Sequence, residues 1–177
     1  MEIEIPVPDG IDVQLEGKTL TVSGEKGTVT KSFRAPSVKV DLSDGRVTVS
    51  TTSHRKKDRA TVGTIRSHIQ NMLHGVQEGY EYKLRIFYAH FPMNVTIEGN
   101  RVKIDNFLGE RYPRYAEIEG DTTVKVKGDE VIVSGISKEK VGQTAANLEQ
   151  ATRIRKKDPR VFQDGIYLFE KDGVRLK

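Results

Sequence analysis

The sequence contains no cysteine and no tryptophan. Without cysteine there is no disulfide, no thiolate metal ligand and no cysteine nucleophile. Aromatic residues are sparse, at 7% of the chain. No apolar run approaches the length of a membrane-spanning helix. The first residues, Met1 to Pro6, are acidic and lack the apolar run of a signal peptide. These absences set the expectation of a cytoplasmic protein with no membrane partner. There is no Walker-type phosphate loop and no GxGxxG, and Gly24-Glu25-Lys26-Gly27 reads as a turn. The four histidines, His54, His68, His74 and His90, are scattered. His68 and His74 are six residues apart on one predicted helix and face different sides. A metal site needs convergent ligands, so neither a metal nor a cofactor is expected. No nucleophile-elbow motif marks a catalytic serine. Asn94-Val95-Thr96 matches a glycosylation acceptor but falls on a predicted strand, and is read as chance.

What is present is charge, unevenly distributed. The chain has 177 residues, 36% hydrophobic and 31% charged, with a net charge of +4. That length suits one or two domains with modest cores. Residues 1–81 carry 11 basic and 11 acidic side chains and are neutral. Residues 150–177 carry 8 and 4, which accounts for the whole excess. A localised basic patch on a balanced protein is the electrostatic footprint of a polyanion site.

The chain also repeats itself. Residues 11–27, IDVQLEGKTLTVSGEKG, align without a gap to 93–109, MNVTIEGNRVKIDNFLG. Val13 meets Val95, Glu16 meets Glu98, Gly17 meets Gly99 and Gly27 meets Gly109. Each segment alternates apolar residues about a turn and predicts a hairpin. A second hairpin follows in each copy, from Val38 to Ser50 and from Val124 to Ser134. A helix comes next. Its apolar face is Val62, Ile65, Ile69, Met72, Leu73 and Val76 in the first copy, and Val141, Ala145, Leu148 and Ala151 in the second. Ser53 and Ser137 stand where N-caps are needed, and Gly75 and Gly79 offer stops for the first helix. Gly63 and Gly142 interrupt the two helices at matching places, which suggests either close packing on the sheet or a relic of duplication. The fold class expected is α+β, as two tandem copies of one unit, each an antiparallel β-sheet packed with one amphipathic helix. Tyr80–Phe87 reads as the last strand of the first copy, running towards the second. The boundary falls near Tyr82, giving units 1–82 and 83–177.

The rest of the chain is organised around one basic stretch. Between Arg153 and Arg160 lie five basic residues, Arg153, Arg155, Lys156, Lys157 and Arg160, and one acidic residue, Asp158. The second helix can run on to about Lys157, where Pro159 disfavours helix for Asp158. The charge is then shared between a helix C-terminus and the loop after it. Five cations are more than the helix dipole needs. The Asp164-Gly165 pair reads as a turn that aims the loop before an apolar strand from Ile166 to Phe169. Pro159, Asp164 and Gly165 are therefore the loop-shaping residues. Arg175 and Lys177 add basic charge at the C-terminus. Tyr112, Arg114, Lys138 and Lys140 are accessory candidates. Tyr167, Phe162 and Phe169 are candidates for base stacking, against a core role. A second cluster, His54 to Arg59, opens the first helix and reads as a solvated surface. An enzyme with Asp158 or Asp164 as an acid–base group lacks a convergent partner constellation. A protein adaptor would bind independently of Arg153–Arg160 and survive high salt.

The residues also carry a resemblance. Gln150-Ala151-Thr152, Lys157-Asp158, Arg160, Phe162 and Asp164-Gly165-Ile166-Tyr167 resemble the C-terminal motif of the L-six family of large-subunit ribosomal proteins, called L-nine in eukaryotes. The Ile5-to-Ile11 segment, the Gly17-Lys18 turn and Gly75-Val76-Gln77-Glu78-Gly79-Tyr80 are similar to the same family. The compact length resembles the archaeal form. Val161-Phe162-Gln163-Asp164-Gly165 stands where the bacterial branch has a Gly- and Lys-rich turn. The resemblance implies a structural constituent of the ribosome, with no enzymatic activity and no homo-oligomer. It implies binding to large-subunit rRNA, mainly through the second unit. It places the protein near the base of the lateral stalk and the translation-factor site, with neighbouring ribosomal proteins as partners.

Overall fold

The computed structural model describes residues 1–176. It divides into two compact units, Met1–Gly79 and Tyr80–Lys177, the last residue of the second lying outside the description. The first unit contains β1 (Glu2–Pro6), β2 (Asp12–Glu16), β3 (Thr19–Gly24), β4 (Gly27–Ser32), β5 (Lys39–Ser43), β6 (Arg46–Ser50) and α1 (Lys56–Gln77). The second contains β7 (Tyr80–Phe87), β8 (Asn94–Glu98), β9 (Arg101–Asp105), β10 (Arg114–Glu117), β11 (Thr123–Lys127), β12 (Glu130–Gly135), α2 (Lys138–Ala151), β13 (Gly165–Lys171) and β14 (Val174–Arg175). A short 3-10 turn, Phe107–Gly109, follows β9.

The fold class is α+β, and the two units share one plan. Each hairpin closes where the sequence repeat aligns. Glu16 pairs with Thr19 and Glu98 with Arg101, and the intervening Gly17 and Gly99 take φ 60° and 62°. That backbone region is open to glycine without steric cost. The strand order is β2-β3-β4 in one unit and β8-β9-β10 in the other. The structure adds that each unit divides its hydrogen bonding between two antiparallel sheets. The second sheet is β1-β6-β5 in the first unit and β11-β12-β7-β13-β14 in the second.

This order corrects the reading of Tyr80–Phe87. Its alternation of buried and exposed residues fits a strand. Its partners, however, are β12 and β13, both in the second unit. It is the counterpart of β1, and so the first strand of the second copy. Periodicity identifies a strand but not its partner.

Each helix buries one face. From α1 these are Val62, Ile65, Ile69, Met72, Leu73 and Val76, which join Leu20, Val22, Val47 and Val49. From α2 they are Val141, Ala145 and Leu148, which join Leu84, Val131, Val133 and Ile166. Each fully buried aliphatic side chain contributes about 1.5–3 kcal/mol.

The caps agree only in part with the sequence reading. Ser137 caps α2 by accepting from the Lys140 N–H at 3.5 Å. Ser53 does not cap α1, which begins after Arg55. Its hydroxyl donates instead to Asp58 at 2.6 Å, beside Ser37 at 2.7 Å. These hydroxyls, and then the charges of Arg55 and Lys57, hold the Asp58 carboxyl below its usual range. Asp58 thus occupies the middle of the His54–Arg59 cluster. Gly75 lies inside α1, whereas Gly79 closes it, bonding the Gly75 carbonyl at 2.9 Å. A side chain at Gly63 would meet open space, and one at Gly142 only the Tyr82 ring at 3.8 Å. Close packing therefore does not explain these two glycines.

We expect a fragment spanning 80–177 to unfold cooperatively by itself. A fragment starting at Lys83 lacks Tyr80 and Tyr82, both at least 95% buried. It should be weaker by at least about 3 kcal/mol. Denaturant unfolding followed by circular dichroism checks this, and equal midpoints would refute it.

Candidate nucleic-acid interface

The helix α2 stops at Ala151, earlier than the sequence suggests, because two side chains satisfy its last carbonyls. The hydroxyl of Thr152 donates back to the carbonyls of Leu148 and Glu149, at 3.3 and 3.2 Å. The same oxygen accepts the Ile166 N–H at 3.0 Å, which ties the helix end to β13. The guanidinium of Arg114 reaches the carbonyls of Ala151 and Arg153, at 3.0 and 2.8 Å. Glu110 grips the other side of that guanidinium, at 2.8 and 2.6 Å. Arg114 is therefore a helix C-cap, and its charge is engaged inside the unit. The hydrogen bonds and charge of Arg114 outweigh burial and lower the Glu110 carboxyl.

All five cations then lie in the loop between α2 and β13, and none on the helix. Arg153, Arg155, Lys156, Lys157 and Arg160 are exposed. Lys156 takes φ 59°, which turns the chain sharply between its basic neighbours. Asp158 and Pro159 build the next turn. The Asp158 carboxylate accepts the Arg160 N–H at 3.0 Å, and its carbonyl accepts from Val161 and Phe162 at 3.1 and 2.9 Å. It also pairs with the Arg160 guanidinium at 3.2 Å. These bonds, the backbone one first, lower its pKa. Arg160 thus brings its acid with it, whereas Arg153, Arg155 and Lys156 present their charge on open loop.

The loop closes on a latch that sequence reading missed. Phe162 is half-buried and stacks on His90, with ring centroids 4.7 Å apart. The Lys157 ammonium lies 4.7 Å from the same Phe162 centroid. Asp164 is fully buried. Its carboxylate accepts the backbone N–H groups of Ala89 and His90 at 3.2 and 3.3 Å, and meets His90 Nδ1 at 3.0 Å. Burial by itself raises the Asp164 pKa, but the bonds from His90 and Ala89 and the nearby His90 charge outweigh it. The carboxyl lies below its usual range. An ionised carboxylate has no proton to give, so Nδ1 carries the hydrogen. Asp164 therefore bonds a segment more than seventy residues away, where the sequence suggested a local turn. Nothing in its spacing from His90 signals this, because the contact depends on how β7 and β13 pair.

Gly165 opens β13 at φ 157°. A side chain there would meet the Tyr167 hydroxyl at 3.1 Å and Thr152 Oγ1 at 3.3 Å. Tyr167 donates to the Gln163 carbonyl at 2.9 Å, which braces the loop exit from above. Its ring stays 48% exposed, while Phe162 and Phe169 are half-buried. Burial, then the charges of Asp164 and Glu149, raise the Tyr167 pKa.

The remaining candidates do not all converge. Tyr112 is 75% exposed and stands two residues before Arg114. Arg175 pairs with Glu170 at the far end of β13, roughly 17 Å along the strand from the loop. Lys138 and Lys140 occupy the first turn of α2, roughly 17–20 Å from its loop end. Lys177 lies outside the described residues. Among the described residues no group of three His, Cys, Asp or Glu is placed to hold a metal. Among the described residues no helix is long and apolar enough to cross a membrane. Asp158 and Asp164, the acid–base alternatives, are both committed to internal bonds.

The model of the family described as Ribosomal protein L6 matches residues 7–79 and 91–165. A relative from Methanocella arvoryzae, named large ribosomal subunit protein uL6, is 56% identical over 95% of this chain and 96% of its own. One of the same name from Methanosarcina mazei is 52% identical over 94% and 95%. Another, from Methanococcus vannielii, is 52% identical over 98% and 95%.

Two outcomes follow from the latch. Asp164→Asn should destabilise the second unit by about 1–3 kcal/mol, since the hydrogen bonds from Ala89 and His90 lose their buried, charged acceptor. The folded pKa is depressed, so this contribution is complete above the unfolded value of about 3.9 and fades as pH falls through the lower folded one. Unfolding curves of the two proteins should therefore differ at pH 5 and converge in stronger acid; a constant difference would refute the assignment. Gly165→Ala should destabilise by about 1–3 kcal/mol, through crowding and backbone strain. A neutral or stabilising effect in thermal unfolding would show that the junction tolerates a side chain.

Proposed function

The chain belongs to the ribosomal protein L6 family, and from that premise we propose that it is anchored in the large ribosomal subunit through the basic loop between α2 and β13. A member of this family is a structural, non-enzymatic constituent of the ribosome. The single observation that supports the loop as the rRNA contact is its construction. It gathers five cations on an exposed segment of an otherwise charge-balanced chain, and it is pinned at both ends by Thr152 and Asp164.

In this reading Arg153, Arg155, Lys156 and Lys157 neutralise phosphates of large-subunit rRNA and release counterions. Arg160 joins them while staying paired to Asp158. Helical RNA hides its base edges in a deep, narrow groove, so the loop reads shape and backbone rather than sequence. Pro159, Asp164 and Gly165 fix its path. Tyr112 extends the same surface, while Arg175, Lys138 and Lys140 serve separate, distant contacts. The second unit is then the main rRNA-binding part, and the nearly charge-balanced first unit faces ribosomal proteins or solvent. The family resemblance supports a place near the base of the lateral stalk and the translation-factor site, in ribosomes of the cytoplasm.

Changing Arg155, Lys156 and Lys157 together to Gln tests this. The variant should stay folded, with at most a small fall in its thermal unfolding midpoint from the lost Lys157–Phe162 contact, because none of the three caps a helix or fills a core. Its affinity for large-subunit rRNA should fall. The slope of log K against log salt should flatten by up to roughly 0.7–0.9 for each phosphate that is no longer neutralised. Unchanged affinity and slope in the folded variant would remove the loop from the interface.

A further inference from the structure

Alternation along β7 sends Tyr80, Tyr82, Leu84 and Ile86 into the core with α2. It leaves Glu81, Lys83, Arg85 and Phe87 on the opposite face of the five-stranded sheet. Tyr167 stands directly across from Arg85, and Gly165 across from Phe87. Residues paired this way share a face, and the diagonal neighbours lie within reach of aromatic side chains. Phe87 and Tyr167 are such diagonal neighbours. Gly165 has no side chain, and the Tyr167 ring leans into the space beside it, its hydroxyl bonded to Gln163. Phe87 is 44% exposed and Tyr167 48%. Arg85 lies 4.9 Å from the centroid of Phe169, further along β13. Gln163 and Asp164 lead straight from this pair of rings into the basic loop.

We propose that Phe87 and Tyr167 form a stacking platform for an unpaired nucleotide of the same RNA whose phosphates the basic loop engages. The inference rests on the reading of that loop as a phosphate contact. Two exposed rings set diagonally across neighbouring strands, with Arg85 on the same face, match the flat face of a base rather than its edge. The surrounding charge selects a polyanion over an apolar protein surface. Lys83 is held by Glu170 and Glu81, at 3.3 and 3.9 Å, but Arg85 and the loop cations supply the positive field. A continuous duplex offers no base faces. The ligand is therefore a bulge, a loop or a strand end beside a helical segment. The latch keeps the platform and the loop in register, since Asp164 grips Ala89 and His90, which follow Phe87 within three residues.

The test is binding of the full chain to protein-free large-subunit rRNA across a salt series. Phe87→Ala, Phe87→Tyr and the triple Arg155/Lys156/Lys157→Gln variant are compared with the parent. Phe87 is the position to change, because Tyr167 also braces the loop. Phe87→Ala should weaken binding by roughly five- to a hundredfold, the range for a single base stack. Its salt slope should stay unchanged, because every phosphate keeps its cation, and Phe87→Tyr should bind like the parent. Normal affinity of Phe87→Ala beside a weakened triple variant would overturn the platform and leave the loop standing. A protein neighbour covering the rings would give that result. A weakened Phe87→Ala beside a normal triple variant would support the platform and reject the phosphate role of the loop.

Discussion

A single buried carboxylate holds the second unit's surface together. Asp164 accepts hydrogen bonds from the two successive backbone N–H groups of Ala89 and His90 and from the His90 ring. Removing a charge from water costs several kcal/mol unless its hydrogen-bonding capacity is met. Here it is met entirely by the connection between β7 and β8. The carboxylate and that connection therefore specify each other. Were the connection displaced, a buried charge would be left without partners. Phe162 stacked on His90 seals the same junction from the solvent side.

That junction explains how a loop so rich in like charge has a definite course. Cations close together repel, and an open loop loses conformational entropy when it is ordered. The structure offsets both locally. Asp158 neutralises Arg160 and forms the turn. Lys157 lies against the Phe162 ring. Arg114 binds the carbonyls at the loop entrance, and Thr152 bonds both the helix end and the strand. What remains pointing outward is a set of charges whose backbone is already ordered. Binding by such a surface loses less entropy than binding by a flexible tail of the same composition.

Comparison of the two copies shows what the second has added. In the first unit β1 is the edge of its sheet, and the chain leaves α1 through Gly79. In the second, the chain continues past α2 through the basic loop and returns as β13 on the free side of β7. The added strand turns an edge into the centre of a five-stranded sheet, which removes a row of unpaired backbone groups. It also brings the loop, Tyr167 and Phe87 to one end of that sheet. The net positive charge of the protein is thus concentrated in the segment that departs from the repeat.

The sequence by itself determined the elements that depend on local periodicity. These are the two amphipathic helices, the paired hairpins with Gly17 and Gly99 at their turns, and the duplication that relates them. It also determined where the positive charge lies, because charge is counted along the chain. Only the tertiary structure decided which strand joins which sheet, so Tyr80–Phe87 moved from the first copy to the second. It likewise decided that Arg114 caps a helix, that Arg175 and Lys138 lie far from the loop, and that Asp164 bonds a distant segment. The physical reason is common to all of these. Hydrophobic period and turn chemistry act over a few residues and leave a mark in the sequence. Strand pairing and the satisfaction of a buried polar group join positions tens of residues apart, and no local pattern records their partners.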